Sequence, residues 1–508
     1  MKQLTIVFVM LAAAVVTPRS AAAASCGDLA RLALPDTTIT SAAVVTVGAF
    51  KAPAGSAAAQ LAYARLPEFC RVAATLRPTS DSDITIEVWL PAAEWNGKFQ
   101  AVGNGGWAGS ITYPALASAL ADGYATASTD TGHTGGTAAF AVGHPEKVID
   151  LGYRAVHEMT AKAKTLINAF YGAPPKLSIW NGCSQGGRQG ITAGVRYPSD
   201  FDAIVAGAPA VNWMHLHAGR MLSNRAANRT PAGNIPRAKY QLVQNAVLDA
   251  CDALDGIKDG VLEDPLACRF DPQVLQCKAG QSEDSCLTPP QVESARALYA
   301  PVMHPTKREM VLPGLVPGSE LGWNAAAGAQ PVATALEAYK YLVFQDPNWD
   351  PGRFNPATDI DRMLQADRGD VLGSTSTDLK AFFERGGKLL LYHGWADAQV
   401  TPLNTISYFN KVVSRVGHKA VGTSIQLYMV PGMNHCSGGP GTDTFDKVAP
   451  VEQWVLTGAA PASILASHRT SGVVDRTRPL CPIGKVAKWT GSGSTNEAEH
   501  FACVAAAK

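Results

Sequence analysis

Residues 177–190 read LSIWNGCSQGGRQG. A run holding Leu177, Ile179 and Trp180 has strand character and stops at Gly182. The residues RQGITAGVRYPSDF that follow read as a helix closed by Pro198. Between them stands Gly182-Cys183-Ser184-Gln185-Gly186, a G-x-S-x-G pattern. Strand, sharp turn and helix are the setting in which that pattern forms a nucleophile elbow. The tight turn lifts the Ser184 hydroxyl above the sheet edge. The helix start offers backbone N–H groups to a developing oxyanion, Gln185 first. In a chain with 47 glycines the pattern alone is weak, so its surroundings must supply the weight.

They do so on both sides. ITIEVWLP (84–91), then GKFQAVGNGGW (97–107), read as two strands and a glycine-rich loop, and YATASTDTGH (124–133) as a strand entering a polar loop. FDAIVAGAPA (201–210) reads as a buried parallel strand. From residue 211 to 374 the βα rhythm is lost: this stretch holds four cysteines, many prolines and helices such as RAKYQLVQNAVLDAC. The rhythm returns with GGKLLLYHGWAD, the helix TISYFNKVVSRVG and the strand SIQLYMVPG. The expectation is an α/β fold in two parts, 25–210 and 375–508, with an inserted domain between them.

A serine needs a base, and the base needs a carboxylate to orient it. In hydrolases with an elbow the chain order is Ser, then Asp or Glu, then His. Asp397 follows the strand KLLLYHG, and His435 follows SIQLYMVPG thirty-eight residues later. Both stand at carboxyl ends of strands, where α/β active sites gather. Asp130 and His133 also end a strand but precede the serine, and read as residues of the pocket or of the shell around it. His157 lies mid-helix, and His215 with His217 lacks a third ligand. Cys183 precedes Ser184 and Cys436 follows His435, so a Cys183–Cys436 disulfide would clamp nucleophile to base.

The ten cysteines form an even set with no C-x-x-C pair. They follow an N-terminus with Lys2, an apolar core Leu4–Val16 and a small-residue site Ala22-Ala23-Ala24. This reads as a signal peptide over residues 1–24, with export to the periplasm or medium, where disulfides persist. A formal net charge of +1 gives no reason to expect nucleic acid or a membrane surface as partner. The loop CDALDGIKDGV (251–261) packs three aspartates between glycines. It suits calcium as a structural ion, with carboxylates from Asp252, Asp255 and Asp259 and carbonyls from Ile257 and Val261.

Together these features resemble the tannase and feruloyl esterase family. Its Cys-Ser, Asp, His-Cys arrangement is matched by Cys183-Ser184, Asp397 and His435-Cys436, and TDTGH, GCSQGGRQG with YPSDFDAIVAGAP, and CDALDGIKDGV are similar to that family's motifs. The resemblance implies an α/β-hydrolase with a calcium-bearing lid. It implies disulfides Cys26–Cys70, Cys183–Cys436, Cys251–Cys268, Cys277–Cys286 and Cys481–Cys503. It makes Gly106 the second oxyanion donor and His393 a pocket-lining residue. The substrate it implies is a small aromatic ester: a feruloylated sugar, a gallate, or mono(2-hydroxyethyl) terephthalate. The terephthalate subgroup uses a lid arginine, yet residues 318–344 contain none, and Val400 is smaller than that subgroup's aromatic residue. Trp323 offers an aromatic wall. The expectation is a secreted serine esterase for hydroxycinnamate-type esters, with tannase and terephthalate monoester hydrolase as alternatives. A non-catalytic hydrolase-fold protein or an acyltransferase stands further off.

Overall fold

Runs of residues apolar on both faces form the centre of one nine-stranded sheet, whose first strand is an exposed edge. In a computed structural model that describes residues 24–53, 57–367 and 369–506, the strands are β1 (Thr37–Val45), β2 (Phe69–Leu76), β3 (Ile84–Pro91), β4 (Lys98–Val102), β5 (Ala125–Thr129), β6 (Leu177–Cys183), β7 (Ala203–Gly207), β8 (Lys388–Gly394) and β9 (Ile425–Val430). Their order is β1-β2-β3-β5-β4-β6-β7-β8-β9. Pairing is antiparallel from β1 to β5 and parallel from β5 to β9. Every residue of β7 and of β9 is buried, as covered parallel strands require. This is the α/β-hydrolase arrangement. The signal-peptide segment, apart from Ala24, lies outside the described residues.

Helices α1 (Ala155–Tyr171) and α2 (Gln185–Arg196) cover one face of the sheet. Between β7 and its parallel neighbour β8, residues 208–387 leave the sheet. This excursion carries α3 (Trp213–Ala227), α4 (Tyr240–Cys251) and α5 (Pro289–Tyr299). It packs around two further cores, one with Tyr339, Trp349 and Phe354 that also takes in Trp107 and Leu151, the other with Tyr240, Leu298 and Trp323. Its ends meet where Trp213 N–H donates to Gly373 O at 3.0 Å. Helix α6 (Pro402–Val416) joins the α1 face, and α7 (Ala449–Thr457) buries Val451 and Trp454 on the opposite one.

The departures from the sequence reading have local causes. The strand expected over 201–210 ends at Gly207, because Ala208 turns to φ 34° and Pro209 has no N–H for the ladder. Helix α6 starts earlier than its apolar pattern, with Pro402 at its first turn. Two antiparallel hairpins went unread. They are β10 (Ile464–Thr470) with β11 (Val473–Leu480), and β12 (Lys485–Trp489) with β13 (Phe501–Ala505). These strands are largely exposed and lack the apolar runs of the central sheet.

All ten cysteines pair: Cys26–Cys70, Cys183–Cys436, Cys251–Cys268, Cys277–Cys286 and Cys481–Cys503. Among the described residues no helix is long and apolar enough to cross a membrane.

Candidate active site

Ser184 sits between β6 and α2 with φ 61° and ψ −122°, a conformation that a non-glycine residue holds only where its neighbours enforce it. They enforce it here. Ser184 N–H donates to Gly207 O at 2.9 Å, and Ser184 O accepts from Ala210 N–H at 3.1 Å. Both glycines of the pattern are demanded by close approach: a Cβ on Gly182 would lie 2.5 Å from the Gly186 backbone, and one on Gly186 would lie 3.1 Å from Asn104 O. The Ser184 hydroxyl makes no hydrogen bond among the described residues, a common state before substrate tightens the site.

Asp397, in the loop after β8, is fully buried. Its Oδ1 accepts from the backbone N–H of Gln399 (2.7 Å) and of Val400 (2.9 Å). Its Oδ2 accepts from His435 Nδ1 (2.7 Å) and from His393 Nε2 (3.1 Å). Burial pushes this carboxyl up. The field of His435 and the hydrogen bonds from both imidazoles outweigh it and hold the group below the usual carboxylate range. With Nδ1–H committed to Asp397, His435 keeps Nε2 for accepting a proton. The Cys183–Cys436 bridge holds the two flanking Cα atoms 6.0 Å apart, so Ser184 and His435 are neighbours in space although 251 positions separate them.

The loop Gly103-Asn104-Gly105-Gly106 lies against the elbow, where a Cβ on Gly103 would come 2.5 Å from Gly186 Cα. Gln189, one turn into α2, holds this loop by two bonds: it accepts from Asn104 N–H (3.0 Å) and donates to Asn104 Oδ1 (3.1 Å). His133 Nε2–H donates to Trp107 O at 2.8 Å, which makes it a support for the same loop. Gly106 has φ 53°, and its N–H has no partner among the described residues, as an oxyanion donor requires. Gln185 opens α2 beside it.

Arg188, wholly buried on α2, went unremarked in the sequence. It donates to Gln185 Oε1 (2.6 Å), Ser374 Oγ (3.2 Å) and the carbonyls of Leu151, Gly152 and Leu372 (3.2–3.3 Å). It therefore ties the elbow helix to the returning end of the insertion. Its signal was the arginine in GCSQGGRQG, but nothing local says what it binds.

Three residues expected in the substrate pocket are placed elsewhere. Trp323 is fully buried in the insertion's core against Tyr240 and Tyr299, so it is not a pocket wall. His393 lies behind Asp397, with no exposed surface. Val400 is buried, its N–H and carbonyl committed to Asp397 and His393. Beside the Gly103–Gly106 loop Trp107 packs on Trp213, ring centres 4.3 Å apart and both rings buried. His215 and His217 join no metal-binding cluster among the described residues. His157 pairs with Asp200 at 2.9 Å.

In the acidic loop, Asp255, Ile257, Asp259 and Val261 border one cavity of about 20 Å³ together with Glu263, room for a single ion. Burial raises Asp255 to about 6 and Glu263 to about 8, and the neighbouring acids add to the rise. Arg476 and Arg478 border the same cavity. Asp252 does not border the cavity; its oxygens accept from the N–H groups of Asp259 (3.4 Å) and Gly260 (3.0 Å) and shape the loop. Arg478 of β11 meets Asp259 at 2.6 Å, docking a C-terminal hairpin onto the loop.

Compared with known proteins, residues 70–504 match the family model described as tannase and feruloyl esterase. An uncharacterized esterase of Xanthomonas campestris pv. campestris is 39% identical, covering 96% of this chain and 92% of its own. The mono(2-hydroxyethyl) terephthalate hydrolase of Piscinibacter sakaiensis is 34% identical, covering 91% and 89%. The crystal structure of feruloyl esterase B from Aspergillus oryzae superposes with a TM-score of 0.85 at 29% identity, over 94% of this chain and 99% of that one.

Proposed function

The chain belongs to the tannase and feruloyl esterase family, and from that membership we propose an exported serine esterase that cleaves hydroxycinnamate-type aromatic esters. The observation that carries the mechanism is the His435–Asp397 hydrogen bond, held beside the elbow by the Cys183–Cys436 bridge.

Ser184 attacks the ester carbonyl as its proton passes to His435 Nε2. The N–H groups of Gln185 and Gly106 receive the oxyanion. His435 returns the proton to the departing alkoxide, which leaves as the alcohol and an acyl-serine remains. Water attacks that ester, its proton goes to His435, and collapse frees the acid and restores Ser184. Asp397 keeps the imidazole in its Nδ1–H tautomer and offsets its positive charge. Asp255 and Asp259, with the carbonyls of Ile257 and Val261, would hold a calcium ion that fastens the insertion loop. The cavity they share and their crowded charge support that reading. An N-terminus that reads as a signal peptide and the pairing of all ten cysteines support export.

A second reading, terephthalate monoester hydrolysis, draws on the Piscinibacter relative and on Arg220. This arginine of α3 reaches Gln399 O (3.1 Å) and Thr334 Oγ1 (3.1 Å) and forms no ion pair among the described residues. Its guanidinium is suited to a substrate carboxylate, and Thr334 belongs to the stretch that has no arginine of its own. Values of kcat/KM for methyl ferulate, methyl gallate and mono(2-hydroxyethyl) terephthalate decide between the readings. Ser184→Ala should abolish all three activities with the fold intact; retained hydrolysis overturns the mechanism.

A further inference from the structure

The Asp397 carboxylate carries a second imidazole that the proposed reaction does not employ. His393, at the end of β8, has no exposed surface. Its Nε2 lies 2.8 Å from the Val400 carbonyl and 3.1 Å from Asp397 Oδ2. Both neighbours are acceptors, so Nε2 bears the hydrogen and shares it between them. Its Nδ1 lies 2.8 Å from Thr405 Oγ1 on α6. That hydroxyl has no other side-chain hydrogen bond among the described residues, and it donates to Nδ1. Thr405 thus fixes the His393 tautomer as Asp397 fixes that of His435.

We propose that His393 is a positioning residue for the base, acting through Asp397; the inference rests on the Ser184–His435–Asp397 reading. The carboxylate has four donors around it. The N–H groups of Gln399 and Val400 hold Oδ1, while Oδ2 receives both imidazoles. The backbone donors alone leave the carboxylate free to twist about its Cβ–Cγ bond and carry Oδ2 off the line to His435. His393 removes that freedom. It also grips the Val400 carbonyl, whose own N–H grips Oδ1, so histidine, loop and carboxylate close a ring. The ring is buried between β8 and α6. A purely space-filling histidine would not need both nitrogens engaged at 2.8 Å.

The test compares His393→Leu, which keeps bulk without a donor, with His393→Gln, whose amide can place an N–H near the Nε2 position. For His393→Leu the expected result is a fall in kcat of about a hundredfold with KM little changed, together with loss or broadening of the far-downfield proton resonance of the His435 Nδ1–H. His393→Gln should restore much of kcat and the resonance. An unchanged kcat in His393→Leu, an effect confined to KM, or no recovery by His393→Gln overturns the role. Should His393→Leu not fold, Thr405→Val keeps the imidazole and removes the donor that holds its Nδ1, so the ring can turn away from Asp397. A kcat near wild type in that variant overturns the proposal equally. The proton resonance is read without substrate, so the two readings fail separately. Ester hydrolysis by Ser184→Ala sinks the triad, whereas an unaltered resonance in His393→Leu beside an inactive Ser184→Ala sinks only the positioning role.

Discussion

Replacing Cys183 and Cys436 together by alanine cuts the covalent link between the elbow and the base loop and leaves no odd thiol. The bridge spans 253 residues, against 22 for Cys481–Cys503. By loop entropy the first stabilises by about 5 kcal/mol and the second by about 3 kcal/mol. That difference is modest; the activities should differ far more. Ser184 and Cys436 both hold left-handed φ values, 61° and 66°, each costing on the order of 1–3 kcal/mol. Once the bridge is cut, residue 436 can relax toward negative φ and carry the adjacent imidazole with it. A shift of about 1 Å between hydroxyl and imidazole costs about a hundredfold in rate. The assay is kcat on a p-nitrophenyl hydroxycinnamate ester, at a temperature where circular dichroism finds both double variants folded. The expected result is a loss of about two orders of magnitude for the 183/436 pair and little change for the 481/503 pair. Equal losses, or a 183/436 variant with wild-type kcat, would refute the reasoning.

Other outcomes follow from the same contacts. Arg188→Lys should destabilise the fold by about 3 kcal/mol or more in urea titration, since one ammonium cannot serve the carbonyls that the guanidinium serves and the rest go unpaired. Glu320 is buried beneath the Tyr299 hydroxyl (2.6 Å), and burial raises its carboxyl to about 7. The folded state therefore holds a proton that the unfolded chain has released, and stability falls as pH climbs from about 4.5 to 7. Glu320→Gln should remove a slope worth up to about 3 kcal/mol across that window, read as the difference between urea midpoints of the two proteins. Chelation should lower Tm, calcium should restore it, and Asp255→Asn should abolish the response. At a calcium concentration a hundred times Kd the gain is about 2.7 kcal/mol.

The strands around the elbow were legible because a parallel strand covered on both faces has to be an apolar run. β6, β7, β8 and β9 each announce themselves over five to seven residues. The elbow was legible because backbone contact at Gly182 and Gly186 admits no side chain. Asp397 and His435 were singled out by chain order at strand ends, and the fold joins their side chains by a hydrogen bond; the paired cysteines marked which ends meet. Trp323 misled because an aromatic residue in a lid has the same letter whether it faces a ring or a core. His393 was legible as a neighbour of Asp397, but its burial and its contacts with the Val400 carbonyl and the Thr405 hydroxyl depend on how the loop after β8 turns back and how α6 packs on it.

What the amino-acid order determined by itself was everything written in short-range pattern: the α/β rhythm, the insertion and the elbow. Tertiary structure alone decided which groups share a hydrogen. Gln189 meets Asn104 across 85 positions, and Arg188 meets Leu372 across 184. Such bonds depend on direction and on tenths of an ångström, whereas apolar burial needs only a side chain of the right kind on the right face. Pattern therefore carries the core, and only the folded geometry carries the polar network that aims the catalytic groups.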